Sequence, residues 1–135
     1  MKIIKTILLI FILLLPVIIF GNKDYVELND LAIMRGIGVS CGKDTELFFQ
    51  EIIPTKGDGG ISYQYDYYQG DGDNLKDAYH KVKIKTKKKV YLSKIKFLVT
   101  NCSKSNFILK EFNLKNVKIY HVNQDVLEKL KETKL

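Results

Sequence analysis

A chain of 135 residues with 22 Lys and Arg against 15 Asp and Glu, and a net charge of +7, has the length of one domain with a small core of its own. Its two cysteines and two histidines lie far apart and lack zinc-ligand spacing, which excludes a zinc module. The positive balance suits an anionic membrane face, an acidic partner, or a plain solvated basic surface.

The chain opens with Lys2 and Lys5, then an apolar run from Ile7 to Phe20 interrupted only by Pro16. A basic start followed by an apolar stretch is the layout of an export signal. A spanning helix usually needs ~20 apolar residues, so the run is slightly short for a full span. Signal peptidase favours small residues, and Ile19-Phe20-Gly21 offers only Gly21. Residues 1–21 therefore read as a signal peptide or a retained membrane anchor, and residues 22–135 as the folded part.

Asp24 to Leu31 reads as a short helix, with Asp24 as cap and Glu27 completing a box-like pattern. Ile33–Val39 suits a strand whose glycines mark a bend or a close backbone approach. Cys41-Gly42-Lys43-Asp44 is a turn, and Thr45–Ile53 pairs back as a hairpin, ended by Pro54. KGDGG, 56–60, is a loop. Ser62–Tyr68 alternates, with Tyr63, Tyr65 and Tyr67 on one face and Gln64, Asp66 and Tyr68 on the other, and GDGD breaks it. Asn74 or Asp73 caps a helix with Leu75, Ala78, Tyr79 and Val82 on one side. Lys81 to Lys89 carries six lysines, where that helix should fray. Tyr91–Thr100, in the segment VYLSKIKFLVT, forms a fourth, central strand. Ser103 or Ser105 caps a helix through Phe112, Val117–Val122 suits a short strand, and Asp125–Lys134 forms a final helix. The expected class is α/β of the α+β kind: a mixed four-stranded sheet with helices packed on it, preceded by the apolar segment.

Chemistry-bearing motifs are few. GIGVSCG places its glycines inside a strand, whereas a dinucleotide fingerprint needs a strand-to-helix turn. GDGD and GDGG lack the spaced oxygen ligands and closing Glu of a calcium loop and read as turns. His80 and His121 are the only imidazole bases, and no motif links either to a nucleophile or an orienting group. Neither catalytic residues nor metal ligands nor a cofactor site can be named, and no polar set converges on a small-molecule ligand. Cys41 and Cys102 can pair if the chain is exported, but the sequence does not say whether they meet, and free or buried thiols are the default. The tyrosine row reads as a half-buried sheet face or as a binding platform. The lysine run, above all Lys87, Lys88 and Lys89, reads as a solvated helix end or as a contact to anionic lipid or a partner, ~1 kcal/mol per lysine at such a surface. Export argues against nucleic acid.

DYVELNDLAIMRGIGVSCGKD resembles the opening of the Ger(x)C family, the C-subunit lipoproteins of spore-germination nutrient receptors. Glu27, Leu28, Asn29, Asp30, Leu31, Ala32, Ile33, Gly36 or Ile37, Gly38 and Val39 match the family's E-I-N-D-L-A-I-V-x-x-I-G-I-D segment. Gly72, Leu75 and Ala78 match a glycine before a helix with a central alanine. Tyr91, Leu92, Lys94, Ile95, Lys96, Phe97, Leu98 and Val99 match an aromatic strand, with Lys94 in place of the usual His. The similarity runs from about Asp24 to about Phe112. Family members are much longer, so the chain corresponds to their N-terminal domain.

The resemblance implies a non-enzymatic component of spore germination that assembles with polytopic membrane receptor subunits, at the extracytoplasmic face of the spore inner membrane. Asn22 stands where the lipid-bearing cysteine would be, so acylation cannot occur there. The alternative is a secreted or anchored small-molecule or peptide-binding module unrelated to germination, using the tyrosine strand.

Overall fold

The computed structural model describes residues 2–20, 28–123 and 125–134. Asn22, Gly21 and the start of the helix expected over 24–31 lie outside the described residues. The apolar run forms helix α1, Lys2–Phe20, whose side chains at positions 3–16 are all exposed. Among the described residues, no helix is long and apolar enough to cross a membrane.

Leu28–Asp30 make a 3-10 turn and lead directly into β1, Leu31–Cys41. The described part of the expected first helix is therefore not α-helical. From Leu31 to Arg35, buried residues alternate with half-buried ones, and a period of two belongs to a strand. The chain continues through β2 (Thr45–Gly57), β3 (Gly60–Gly72), α2 (Leu75–Thr86), β4 (Lys89–Tyr91), β5 (Phe97–Thr100), α3 (Asn106–Glu111), β6 (Lys118–His121) and α4 (Val126–Glu132). The class is α+β as expected, but the described sheet has six strands instead of four. Its order is β3-β2-β1-β5-β6, with β4 alongside the start of β1. β1, β2 and β3 form an antiparallel meander, while β1, β5 and β6 run parallel.

Three sequence expectations are corrected by packing. Pro54 does not end β2, which runs on to Gly57. The ladder from β1 reaches only Glu51, so among the described residues Pro54 has no neighbouring strand on that side and its missing N–H costs no ladder bond. GDGD does not break β3 either. A Cβ on Gly70 would sit 2.2 Å from the Ala78 carbonyl oxygen, so glycine here lets α2 press onto the strand. The expected strand Tyr91–Thr100 is two strands. Ile33 pairs with Tyr91 but Gly36 with Phe97, so three extra residues must leave the ladder, and they do so in the Leu92–Lys96 turn.

Two apolar layers flank the sheet. On one face Met34, Ile37, Val39, Leu47 and Phe49 pack against Leu75, Ala78 and Val82 of α2 and Ile108 of α3. On the other, Phe48, Phe97 and Val99 meet Val126 and Leu130 of α4. Gly36 and Gly38 lie under α4: a Cβ would come within 2.5 Å of the Phe97 ring at Gly36 and 2.9 Å from Val126 at Gly38. The GIG motif thus serves helix packing rather than nucleotide binding. Asn74 caps α2 by accepting from the Asp77 amide, and Asp125 caps α4 through Leu127 and Glu128.

Cys41 and Cys102 form a disulfide with Cα atoms 5.1 Å apart, correcting the default of free thiols. The parallel register brings them together. Val39 faces Thr100, and two residues further along each strand come Cys41 and Cys102.

Candidate functional site

The register sorts the domain into two ends. At one end lie Cys41, Thr45 and Gly72, with Cys102 bonded to Cys41. At the other lie Leu31, where the chain enters the sheet, Lys89 beside it in β4, and the β2–β3 turn closed by the Gly57–Gly60 pair. The lysine run of α2 ends here too. This end collects most of the features the sequence singles out.

The six lysines do not behave alike. Lys81 pairs with Asp71 at 3.0 Å, Lys83 lies over the Tyr79 ring, and Lys85 donates to the Gln69 carbonyl. Lys81 and Lys85 brace α2 against β3, whereas Lys83 packs on a ring of its own helix. Thr86 closes the helix and Lys87 follows in the left-handed region, with φ 53°, which turns the chain sharply toward β4. Lys87 and Lys89 are exposed, with no ion-pair partner among the described residues.

Lys88 turns inward. Its Nζ is 2.9 Å from Oε1 of Glu51, a residue only 2 % exposed. The Tyr68 hydroxyl donates to the other carboxylate oxygen at 2.7 Å. Burial, then the hydrogen bond and charge of Glu51, push the Tyr68 phenol well above its usual range. Beside Glu51 in β2, Gln50 is fully buried and donates to Tyr67 and to the Leu130 carbonyl of α4. Sequence reasoning missed Gln50 and Glu51. Their signal was their place in TELFFQEII: polar groups inside an apolar strand must find partners, and the partners prove to be Tyr67, Tyr68 and Lys88.

The tyrosine row is divided by these bonds. Tyr67 and Tyr68 are tied to opposite faces at the level of Gln50 and Glu51, whereas Tyr63 stands 57 % exposed further out. An open cleft of about 320 Å³ lies beside the row, lined by Phe48, Tyr65, Tyr67, Leu127 and Lys131. His80 and His121 are both exposed, on different elements. Among the described residues no group of acidic, histidine or cysteine side chains could hold a metal ion.

Compared with known proteins, residues 24–101 match the family described as the spore germination protein N-terminal domain. The chain belongs to that family. No curated protein and no solved structure matches the chain. The matched stretch covers the meander, α2, β4 and β5, so it contains the lysine run, the hairpin and Glu51. The family is one of germination receptor subunits, not a known enzyme family, and it implies association with the spore inner membrane and with membrane receptor partners.

Proposed function

We propose that the chain acts outside the cytoplasm, at the spore inner membrane, as a C-subunit-like component that works by assembly with polytopic receptor subunits and not by catalysis. The Cys41–Cys102 disulfide carries this reading, because such bonds persist in oxidising compartments and are rare in the cytosol. The apolar N-terminal helix gives it a means of staying at the membrane. Lys87 and Lys89, exposed at the end where the chain enters the sheet, supply charges for anionic headgroups. Lys88 contributes less there, since its charge is already paired with Glu51. Asn22 leaves no cysteine for acylation at that position.

The rival module, binding a small molecule or peptide on the tyrosine strand, has the open cleft beside Tyr65 and Tyr67 in its favour. Among the described residues its charged lining is Asp66 and Lys131, the latter over the Tyr67 ring, and a ligand site needs several convergent polar groups.

The test is to recover the protein from spore membranes with thiols blocked at lysis. The expected result is a membrane-bound chain that gains no alkyl label until reduced, and that copurifies with polytopic subunits after mild solubilisation. A reduced chain in the soluble cytoplasmic fraction would overturn the reading.

A further inference from the structure

The β2–β3 hairpin is longer than the domain needs. Each strand has 13 residues, and both helices that flank it stop part-way along. On one face α4 reaches the level of Gln50 and Tyr67, through the Leu130 carbonyl and Lys131. On the other, α2 and its following turn reach Glu51 and Tyr68, through Lys88. Beyond that level, no residue from Ile52 to Asp66 belongs to either apolar core cluster. β1 begins at Leu31 and its ladder to β2 starts only at Glu51. Among the described residues, the outermost pairs, from Thr55–Ser62 to Gly57–Gly60, therefore project as a ribbon with no neighbouring strand or helix, roughly 10 Å at ~3.4 Å per residue.

This ribbon is two-faced. Paired residues share a face, and faces alternate along a strand. Ile52, Pro54 and Lys56 with Ile61, Tyr63 and Tyr65 point one way; Ile53 and Thr55 with Ser62, Gln64 and Asp66 point the other. Ile61 is 71 % exposed and Tyr63 57 %. A free tip gains nothing in water from an apolar, aromatic face, and exposed apolar patches of this kind mark contact sites.

Three observations choose the occupant. The tip lies at the sheet end where the chain arrives from apolar α1. Lys87 and Lys89 are exposed at that same end, and with Lys56 they stand against Asp30 and Asp58 among the described residues there. The apolar face carries Lys56 and no acid, while Asp66 is on the opposite face. Aliphatic, tyrosine and lysine side chains together suit the interfacial layer of a bilayer, where aromatic rings sit at headgroup level and lysines meet anionic lipid.

We propose that the tip of the β2–β3 hairpin lies in the interfacial layer of an anionic bilayer, with Ile61 and Tyr63 immersed and Ser62 and Gln64 facing water. The hairpin then fixes the tilt of the domain on the membrane, which a single apolar tether cannot do. This rests on the membrane-associated reading above and adds a second point of contact.

The chain has no tryptophan, so one introduced at the tip reports only its own site. The full chain carrying Ile61→Trp, Ser62→Trp, Tyr63→Trp or Gln64→Trp is mixed with vesicles of phosphatidylglycerol and phosphatidylethanolamine. Emission is recorded with and without brominated acyl chains. The expected result alternates with position: Trp at 61 and 63 shifts to shorter wavelength and is quenched, while Trp at 62 and 64 is not. Chains that float with the vesicles but show four equal, unquenched spectra would overturn the hairpin contact and leave the membrane reading standing. Failure to float at all would overturn both. A shift at 61 and 63 that needs no lipid and grows with protein concentration would show that this face docks on protein, and would also overturn the proposal. Circular dichroism of each variant checks the fold, and all four positions are exposed, so folding should survive.

Discussion

Removing the disulfide should cost the domain a large part of its stability. Cys41 and Cys102 are 61 residues apart. For a loop of that size, the chain-entropy relation gives roughly 4 kcal/mol of denatured-state restriction at 25 °C. Folded domains of this size have only about 5–15 kcal/mol in total. The perturbation is Cys41→Ala with Cys102→Ala in the chain lacking residues 1–22, and alanine avoids burying a hydroxyl at position 102, which is only 4 % exposed. Urea unfolding followed by circular dichroism is the assay. With a denaturant slope of roughly 1.5 kcal/mol/M, the midpoint should fall by about 3 M. Reducing the parent should give a similar fall, and reductant should leave the double variant unchanged. A double variant with the parent's midpoint would refute the reasoning, because the loop closed by the bond would then add nothing to the folded state.

Ala78→Asp puts a carboxylate where the side chain is fully buried between α2 and the sheet, and should cost about 3–5 kcal/mol, as an unpaired buried charge does; thermal melting within a degree or so of the parent would show the helix face to be wrongly assigned. Lys88→Met leaves Glu51 buried with Tyr68 as its one side-chain partner among the described residues. It should destabilise by about 1–3 kcal/mol, below the full cost of a broken buried pair because Lys88 is itself 35 % exposed. Adding Glu51→Leu should recover most of that loss in a double-mutant cycle, and no recovery would rule out the buried charge as its cause. Tyr68 keeps its proton in the folded state to higher pH than in the unfolded chain, so its contribution is intact below about pH 10 and is lost as pH rises beyond it. Melting temperature should therefore drop less between about pH 9 and about pH 11 in Tyr68→Phe than in the parent, and equal drops would reject the linkage.

The sequence was most legible where local pattern and packing agree. Strand-forming residues located the strands around Ile37 and Phe49 and alternation the one around Tyr65, and helical spacing at Leu75, Ala78 and Val82 named the face of α2 that is in fact buried. It was least legible where a residue's role depends on a partner distant in sequence. Gly70 looks like a turn residue until α2 is placed above it, and Pro54 looks like a strand end until β1 is seen to stop short of it. The same holds for the candidate site. Lys87, Lys88 and Lys89 are indistinguishable in sequence, yet one is bound to a carboxylate 37 residues away. The disulfide was hidden for a related reason. The 61-residue spacing of Cys41 and Cys102 equals the register offset between Gly36 and Phe97, but that coincidence has meaning only once the two strands are known to be parallel neighbours.

The bare backbone at Gly36 and Gly38 also says where the cooperative unit must end. Both glycines lie inside the family-matched stretch, 24–101, yet the side chains that fill the space above them include Leu130 and Val126, well outside it. A polypeptide cut near Asn101 would keep every strand of the meander and still leave Phe48, Phe97 and Val99 open to water on one face of the sheet. Such a fragment should collapse on other copies of itself rather than fold alone. The boundary drawn by sequence similarity is thus narrower than the boundary drawn by packing, and the smallest piece worth expressing runs through the last turn of α4.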